Sequence, residues 1–195
     1  AQPRADVGLK VTGSLGEATL QEAVYGPILD QLADHKPKTL GQLEQALKAT
    51  PSTQSLSFAQ ILQAAMVLSA TGAVQAVQDD AVVQKAKKRT DRLNVYLMTK
   101  ARSSNELSYL ASPVTGGGVT VPRFQQLFLL AKQQGHKQPQ DWANFVWNIL
   151  ALQNQRLVKD GKTLESAEEN LAELIAQASE FAEKQLPILK ALQIA

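Results

Sequence analysis

The chain of 195 residues contains no cysteine. That excludes disulfides, thiolate metal sites and a cysteine nucleophile. Histidine is nearly as scarce. His35 and His136 lie far apart in polar, loop-like stretches, too few for a histidine metal site. Neither has neighbours in sequence that suggest a Ser–His–Asp arrangement. Aromatic residues make up only 5%. No apolar run approaches membrane-spanning length, so no membrane insertion is expected. Charge of a single sign is also missing: 20 basic and 18 acidic residues leave a net charge of +2. Such a balance does not call for a nucleic acid or an anionic membrane. The opening AQPRADVGLK has neither an initiator methionine nor a signal-peptide core. It reads as the cut end of a longer protein or as a processed mature end. We take the first as the expectation, together with a cytoplasmic location.

What is present is helical. Hydrophobic residues reach 44% and charged residues 19%, a folded composition rich in Ala, Leu and Gln. Asp6 to Val11 alternates like one short strand. Helix one is expected from Ala18 to Ala33, kinked or divided at Gly26-Pro27. Thr39…Gln42 and Ser57…Gln60 fit capping boxes that open helix two (Thr39 to Ala49) and helix three (Ser57 to Thr71). Gly72 suits the position after helix three. AVQAVQDDAVVQ then reads as a hairpin turning at Asp79-Asp80. Helix four is expected from Lys85 to Arg102, helix five from Pro122 to Gln134 and helix six from Pro139 to Gln155. Asp160-Gly161 marks a tight turn. A last helix from Leu164 to Gln185 should stop before Pro187. Its seam is Leu164, Ala167, Leu171, Leu174, Ala178 and Phe181.

Helices followed by a hairpin occur twice, with a weak internal echo between the halves. The fold class expected is therefore mainly α: helical with short β-hairpins, two winged-helix-like units joined by helix four. The expected divisions are an N-terminal segment (1–17), a domain over 18–121 and a helical domain over 122–195.

Three stretches invite a chemical reading. Gly116-Gly117-Gly118 lacks the spacing and the later acidic residue of a dinucleotide loop, so a turn with positive φ is the simpler reading. Gly161-Lys162-Thr163 ends like a phosphate-binding loop, yet Arg156 stands where its first glycine belongs. Helix three, as a recognition helix, would present Gln60, Gln63, Ala64, Val67 and Thr71 outward, with Phe58, Ile61, Leu62, Ala65 and Ser69 inward. No Lys or Arg occurs between Lys48 and Lys85 to contact phosphates, which argues against duplex binding. Lys85, Lys87, Lys88, Arg89 and Arg92 form a basic run that reads either as a solvated face or as a docking patch for an acidic partner. Trp142, Phe145, Val146 and Ile149 share a helix face and read as core.

Taken together, YGPILDQLADHKPKTLGQLEQAL, LSFAQILQAAMVLSATGAVQ, RLNVYLM and LASPVTGGGVTVPRFQQLFLLA resemble the predicted regulatory domain of class I S-adenosylmethionine-dependent methyltransferases. The tail from Gln155 to Leu192 is similar to the C-terminal extension that often follows it. Some bacterial protein-lysine methyltransferases acting on outer-membrane proteins share this architecture. The most specific pieces are Arg92-Leu93-Asn94 and Ala111-Ser112-Pro113-Val114 with the glycine triplet. The resemblance implies no catalytic residue, no metal and no cofactor in this chain. S-adenosylmethionine is expected in an N-terminal domain absent here, and the partners implied are that domain and a protein substrate. The stretch before helix one is too short for a donor-binding domain. The candidate contact surface is the exposed side of the glycine turn: Ser112, Thr115, Gly116, Gly117, Gly118 and Arg123. A winged-helix nucleic-acid regulator and a secreted helical structural protein are the alternative readings.

Overall fold

The computed structural model describes Arg4, residues 7–13 and residues 16–195. The chain is mainly helical, and among the described residues its strands form three two-stranded antiparallel hairpins. It divides into two compact units, Ala1–Val77 and Gln78–Ala195. The division falls inside the 18–121 stretch read as one domain from the sequence.

In the first unit, β1 (Lys10–Gly13) pairs with β2 (Gly16–Thr19), and α1 (Glu22–Gln31), α2 (Leu40–Lys48) and α3 (Phe58–Ala70) follow. Asp6, where a strand was expected to begin, lies outside the described residues. The strand starts at Lys10, and Ala18 and Thr19, expected in helix one, belong to its partner strand. Both capping boxes form: Thr39 Oγ1 accepts from Gln42 N at 3.2 Å, and Ser57 Oγ from Gln60 N at 3.3 Å. In each the glutamine oxygen accepts in return from the cap N–H at 2.9 Å. Gly26-Pro27 does not divide α1. Gly26 instead leaves room for the Arg4 guanidinium, which reaches Glu22 at 2.7 Å and Asp30 at 2.6 Å. A Cβ at Gly26 would stand 2.7 Å from that group.

The core of this unit is Ile28 and Leu29 of α1, Leu43 and Leu47 of α2, and Ile61, Ala64 and Leu68 of α3. This corrects the face expected for α3. Ala64 is buried, while Phe58 and Leu62 are exposed. Both faces of α3 carry apolar side chains, so periodicity alone could not choose between them.

The second unit opens with α4 (Asp80–Lys100). The hairpin expected over residues 73–84 is absent; Asp79 is the N-cap of α4 and Asp80 lies in its first turn. Acidic residues stabilise a helix start, and Val83 then falls on the same buried face as Asn94, Met98 and Ala101. Next come β3 (Tyr109–Ser112), β4 (Gly117–Thr120), α5 (Arg123–Gln133) and α6 (Pro139–Leu152). The two-residue strands β5 (Val158–Lys159) and β6 (Lys162–Thr163) flank Asp160-Gly161, with φ of 49° and 77° as a type I′ turn requires.

α7 (Ala167–Glu180) runs into a π-helical turn, Phe181–Gln185, and then α8 (Leu186–Ala191). The last helix therefore passes Pro187 rather than stopping before it. The wide turn interrupts the regular ladder, and Pro187 falls at the start of the next helical segment, where its missing N–H is tolerated. α6 packs between α5 and α7. Phe181 meets Phe128 at 5.6 Å and Trp142 at 6.2 Å between ring centroids. Val146, Leu174 and Ala178 fill the space around them. Full burial of each such apolar side chain contributes roughly 1.5–3 kcal/mol.

Candidate interaction surfaces

The glycine stretch forms a hairpin tip. Tyr109, Leu110, Ala111 and Ser112 pair with Thr120, Val119, Gly118 and Gly117. Only Gly116 of the three has positive φ, at 73°; Gly117 and Gly118 lie in β4. The Ser112 hydroxyl accepts from Val114 N and Thr115 N, each at 3.2 Å, and donates to the Leu192 carbonyl at 2.8 Å. Ser112 is buried, Thr115 half-buried and the three glycines exposed. The tip thus offers backbone to solvent, while its one buried hydroxyl is fully engaged within the unit.

This hairpin is held by side chains from two helices. Asn94 of α4 faces Ala111 and satisfies both backbone groups: Nδ2 donates to the Ala111 carbonyl at 2.8 Å and Oδ1 accepts from its N–H at 2.7 Å. The side chain amide acts as one residue of a third strand. Gln126 of α5, fully buried, donates through Nε2 to Leu107 O at 2.6 Å and Val121 O at 2.8 Å. The sequence pieces Arg92-Leu93-Asn94 and Ala111-Ser112-Pro113-Val114 therefore meet in space through Asn94.

Arg123 sits at the opposite end of the hairpin, separated from Gly117 by the length of β4, about 10 Å of strand. Its Nε donates to Ala101 O at 2.8 Å and its Nη2 to Arg102 O at 3.1 Å, capping α4. Its Nη1 reaches Gln155 at 2.9 Å and its Nη2 reaches Gln153 at 3.3 Å, beyond the end of α6. Burial lowers its pKa below the ordinary arginine value. The structure brings Ser112, Thr115 and the glycines together and sets Arg123 apart from them as a tie between two helix ends.

A second polar anchor went unread in the sequence. Asn170 of α7 is fully buried. Its Oδ1 accepts from Leu157 N at 2.8 Å, and its Nδ2 donates to Leu164 O at 2.8 Å and Ser166 O at 2.7 Å. The available signal was an asparagine standing at a core position of an otherwise apolar helical stripe, as at Asn94. Buried amides of this kind are retained where backbone groups need partners.

Three other surfaces stand out. Phe58, Leu62 and Met66 form an exposed i, i+4, i+8 row on α3. In the same unit a shallow depression of about 240 Å³ is lined by Thr19, Leu20, Val24, Tyr25, Gln60 and Gln63. It carries no acidic or basic side chain. On α4, Lys85, Lys88, Arg89 and Arg92 are exposed, and only Lys87 of the basic run is ion-paired among the described residues, with Asp91. Among the described residues no cluster of three or more His, Asp or Glu could hold a metal ion. No described helix is long and apolar enough to cross a membrane.

The chain is 37% identical over 192 residues to a Synechocystis sp. protein described as uncharacterized protein sll1526. The match covers 98% of this chain and 36% of that protein, so the chain spans little more than a third of the curated relative it matches. No family model and no solved structure matches.

Proposed function

We propose that this chain is a non-catalytic regulatory or substrate-recognition region of a class I S-adenosylmethionine-dependent methyltransferase that acts on a protein in the cytoplasm. The observation that carries the reading is the junction of the two most specific stretches of the resemblance. Arg92-Leu93-Asn94 and Ala111-Ser112-Pro113-Val114 are 17 residues apart at their contact, yet Asn94 joins them by paired hydrogen bonds. Motifs that share one buried contact are expected to travel together as a fold determinant. In this reading the two stretches serve the fold of an accessory region rather than its chemistry.

Two further points support the reading. Every strand pair among the described residues is antiparallel, whereas a donor cleft of the Rossmann type is built on parallel strands. Most of sll1526 lies outside the matched region, which leaves room there for a donor-binding domain. In this reading the donor domain of the same polypeptide is the first partner and a protein acceptor the second.

Calorimetry with S-adenosylmethionine tests the proposal. The isolated chain should give no binding heat. The protein extended by its upstream coding sequence should bind the donor and transfer methyl groups to a protein. Tight donor binding by the isolated chain, or an upstream region without a donor-binding fold, overturns it.

A further inference from the structure

The outer face of α4 is a second surface with a chemistry of its own. Successive residues turn by about 100° in an α-helix. Lys85, Arg89, Arg92, Tyr96 and Lys100 therefore line one side, away from the buried Val83, Asn94 and Met98. Leu93 and Val82, 46% and 47% exposed, run along the edge of this stripe. Tyr96 is 58% exposed and lies under the Lys100 ammonium, 5.4 Å from its ring centre.

The charges on this stripe oppose one another. Lys85 and Arg89, like Lys88 and Arg92, stand four residues apart, a spacing at which like charges repel. None of Lys85, Lys88, Arg89 and Arg92 has an ion pair among the described residues. Asp80 is exposed and Asp91 is engaged by Lys87, and each stands about 100° or more around the helix from Lys85, Arg89 and Arg92. An anionic partner would relieve a repulsion that the chain leaves uncompensated.

We propose that this face docks an acidic amphipathic helix of a partner protein, with its carboxylates over Lys85, Arg89 and Arg92 and its apolar side chains against Leu93 and Tyr96. The apolar edge decides the class of partner. A phosphate backbone rewards the cations but gains nothing from exposed Leu93 and Val82, whereas a helix with an acidic flank matches both. α4 is 21 residues long, about 32 Å of straight face, enough for several turns of a second helix. The inference stands on α4 alone and does not depend on the methyltransferase reading.

Fluorescence anisotropy with the whole chain tests it. The probe is a labelled synthetic helix of about 21 residues, with leucines at three- and four-residue spacing and glutamates along one flank. Duplex DNA of about 20 base pairs and phosphatidylserine-containing vesicles serve as competing probes. The peptide should bind, and more weakly as salt rises from about 50 to about 500 mM. Arg89→Glu with Arg92→Glu should weaken binding about tenfold or more, and Tyr96→Ala by about threefold. Lys137→Glu, on the α5–α6 connection, should leave binding unchanged. If the double charge reversal impairs folding, Arg89→Gln with Arg92→Gln and the salt titration of the unaltered chain carry the test. No binding at about 1 mM peptide, an equal loss with Lys137→Glu, or tighter binding of DNA or vesicles overturns the proposal.

Discussion

The two hairpins of the second unit solve one problem in two ways. Each is too short to stand alone, and each takes a buried asparagine from a helix. Asn94 grips β3–β4 in mid-strand, at Ala111, and completes a sheet edge. Asn170 grips β5–β6 at its base, where Leu157 N and Leu164 O flank the two strands. The first hairpin has four paired positions and further ties from Gln126 and Ser112. The second has two paired positions. The shorter hairpin therefore depends more heavily on its single amide.

Asn170→Leu should show that dependence most strongly. It strands Leu157 N and Leu164 O at a fully buried site, at about 3 kcal/mol or more, while Ser166 O keeps its bond from the backbone N–H of residue 170. Urea unfolding should report the loss. Asn94→Leu removes two bonds at a buried residue whose hairpin has other support, and about 2 kcal/mol is expected. If Asn94→Leu proves the more damaging, the contrast drawn between the hairpins is wrong. Arg123→Ala should lower the thermal midpoint by the equivalent of about 1–2 kcal/mol, because it uncaps α4 and frees Gln153 and Gln155. An unchanged midpoint would show these ties to be superfluous and leave Arg123 available to a partner.

The turns extend the comparison. Gly116→Ala and Gly161→Ala both force an alanine to positive φ, at about 1 kcal/mol. Gly116→Ala should be slightly worse, since its Cβ would meet the Gln78 side chain at 3.0 Å, whereas Gly161 faces open space. Differential calorimetry of the two variants side by side decides this.

The smallest effect is electrostatic. Glu173 is held below the ordinary value of 4.5 by its hydrogen bond from Lys159 of β5, at 2.7 Å, and by a second from Gln177. A lowered folded pKa adds stability above the unfolded value and loses it as pH falls through the folded one. The thermal midpoint should therefore sag below about pH 4.5, and Glu173→Gln should flatten that sag. Indistinguishable profiles would assign the acid loss to other carboxylates.

Much of the local structure was legible because it rests on short-range chemistry. Thr39 and Ser57 cap as read, and Asp160-Gly161 turns as read. The exposed glycine tip also follows from residues next to one another. The failures occur where tertiary context chooses. The Val-rich segment after Gly72 has strand propensity, but residues 73–79 are irregular, and Asp79 and the burial of Val83 make its second half the start of a helix. α3 could have buried either apolar side, and its neighbours took Ile61, Ala64 and Leu68. At the candidate surface, proximity in sequence misled. Arg123 follows the glycine turn by few residues, yet a strand carries it to the far end of the hairpin. Asn94 was singled out without a role and Asn170 was passed over, because their roles depend on backbone groups 17 and 13 residues away.

The bond from Ser112 to Leu192 spans 80 residues and has a consequence for biosynthesis. A ribosome delivers the chain from its amino end, so the first 77 residues can settle into their three-helix arrangement early. The glycine hairpin must wait for the final helical turn to emerge before its buried hydroxyl finds an acceptor. Completion of the second unit is thereby tied to the last stage of its own synthesis.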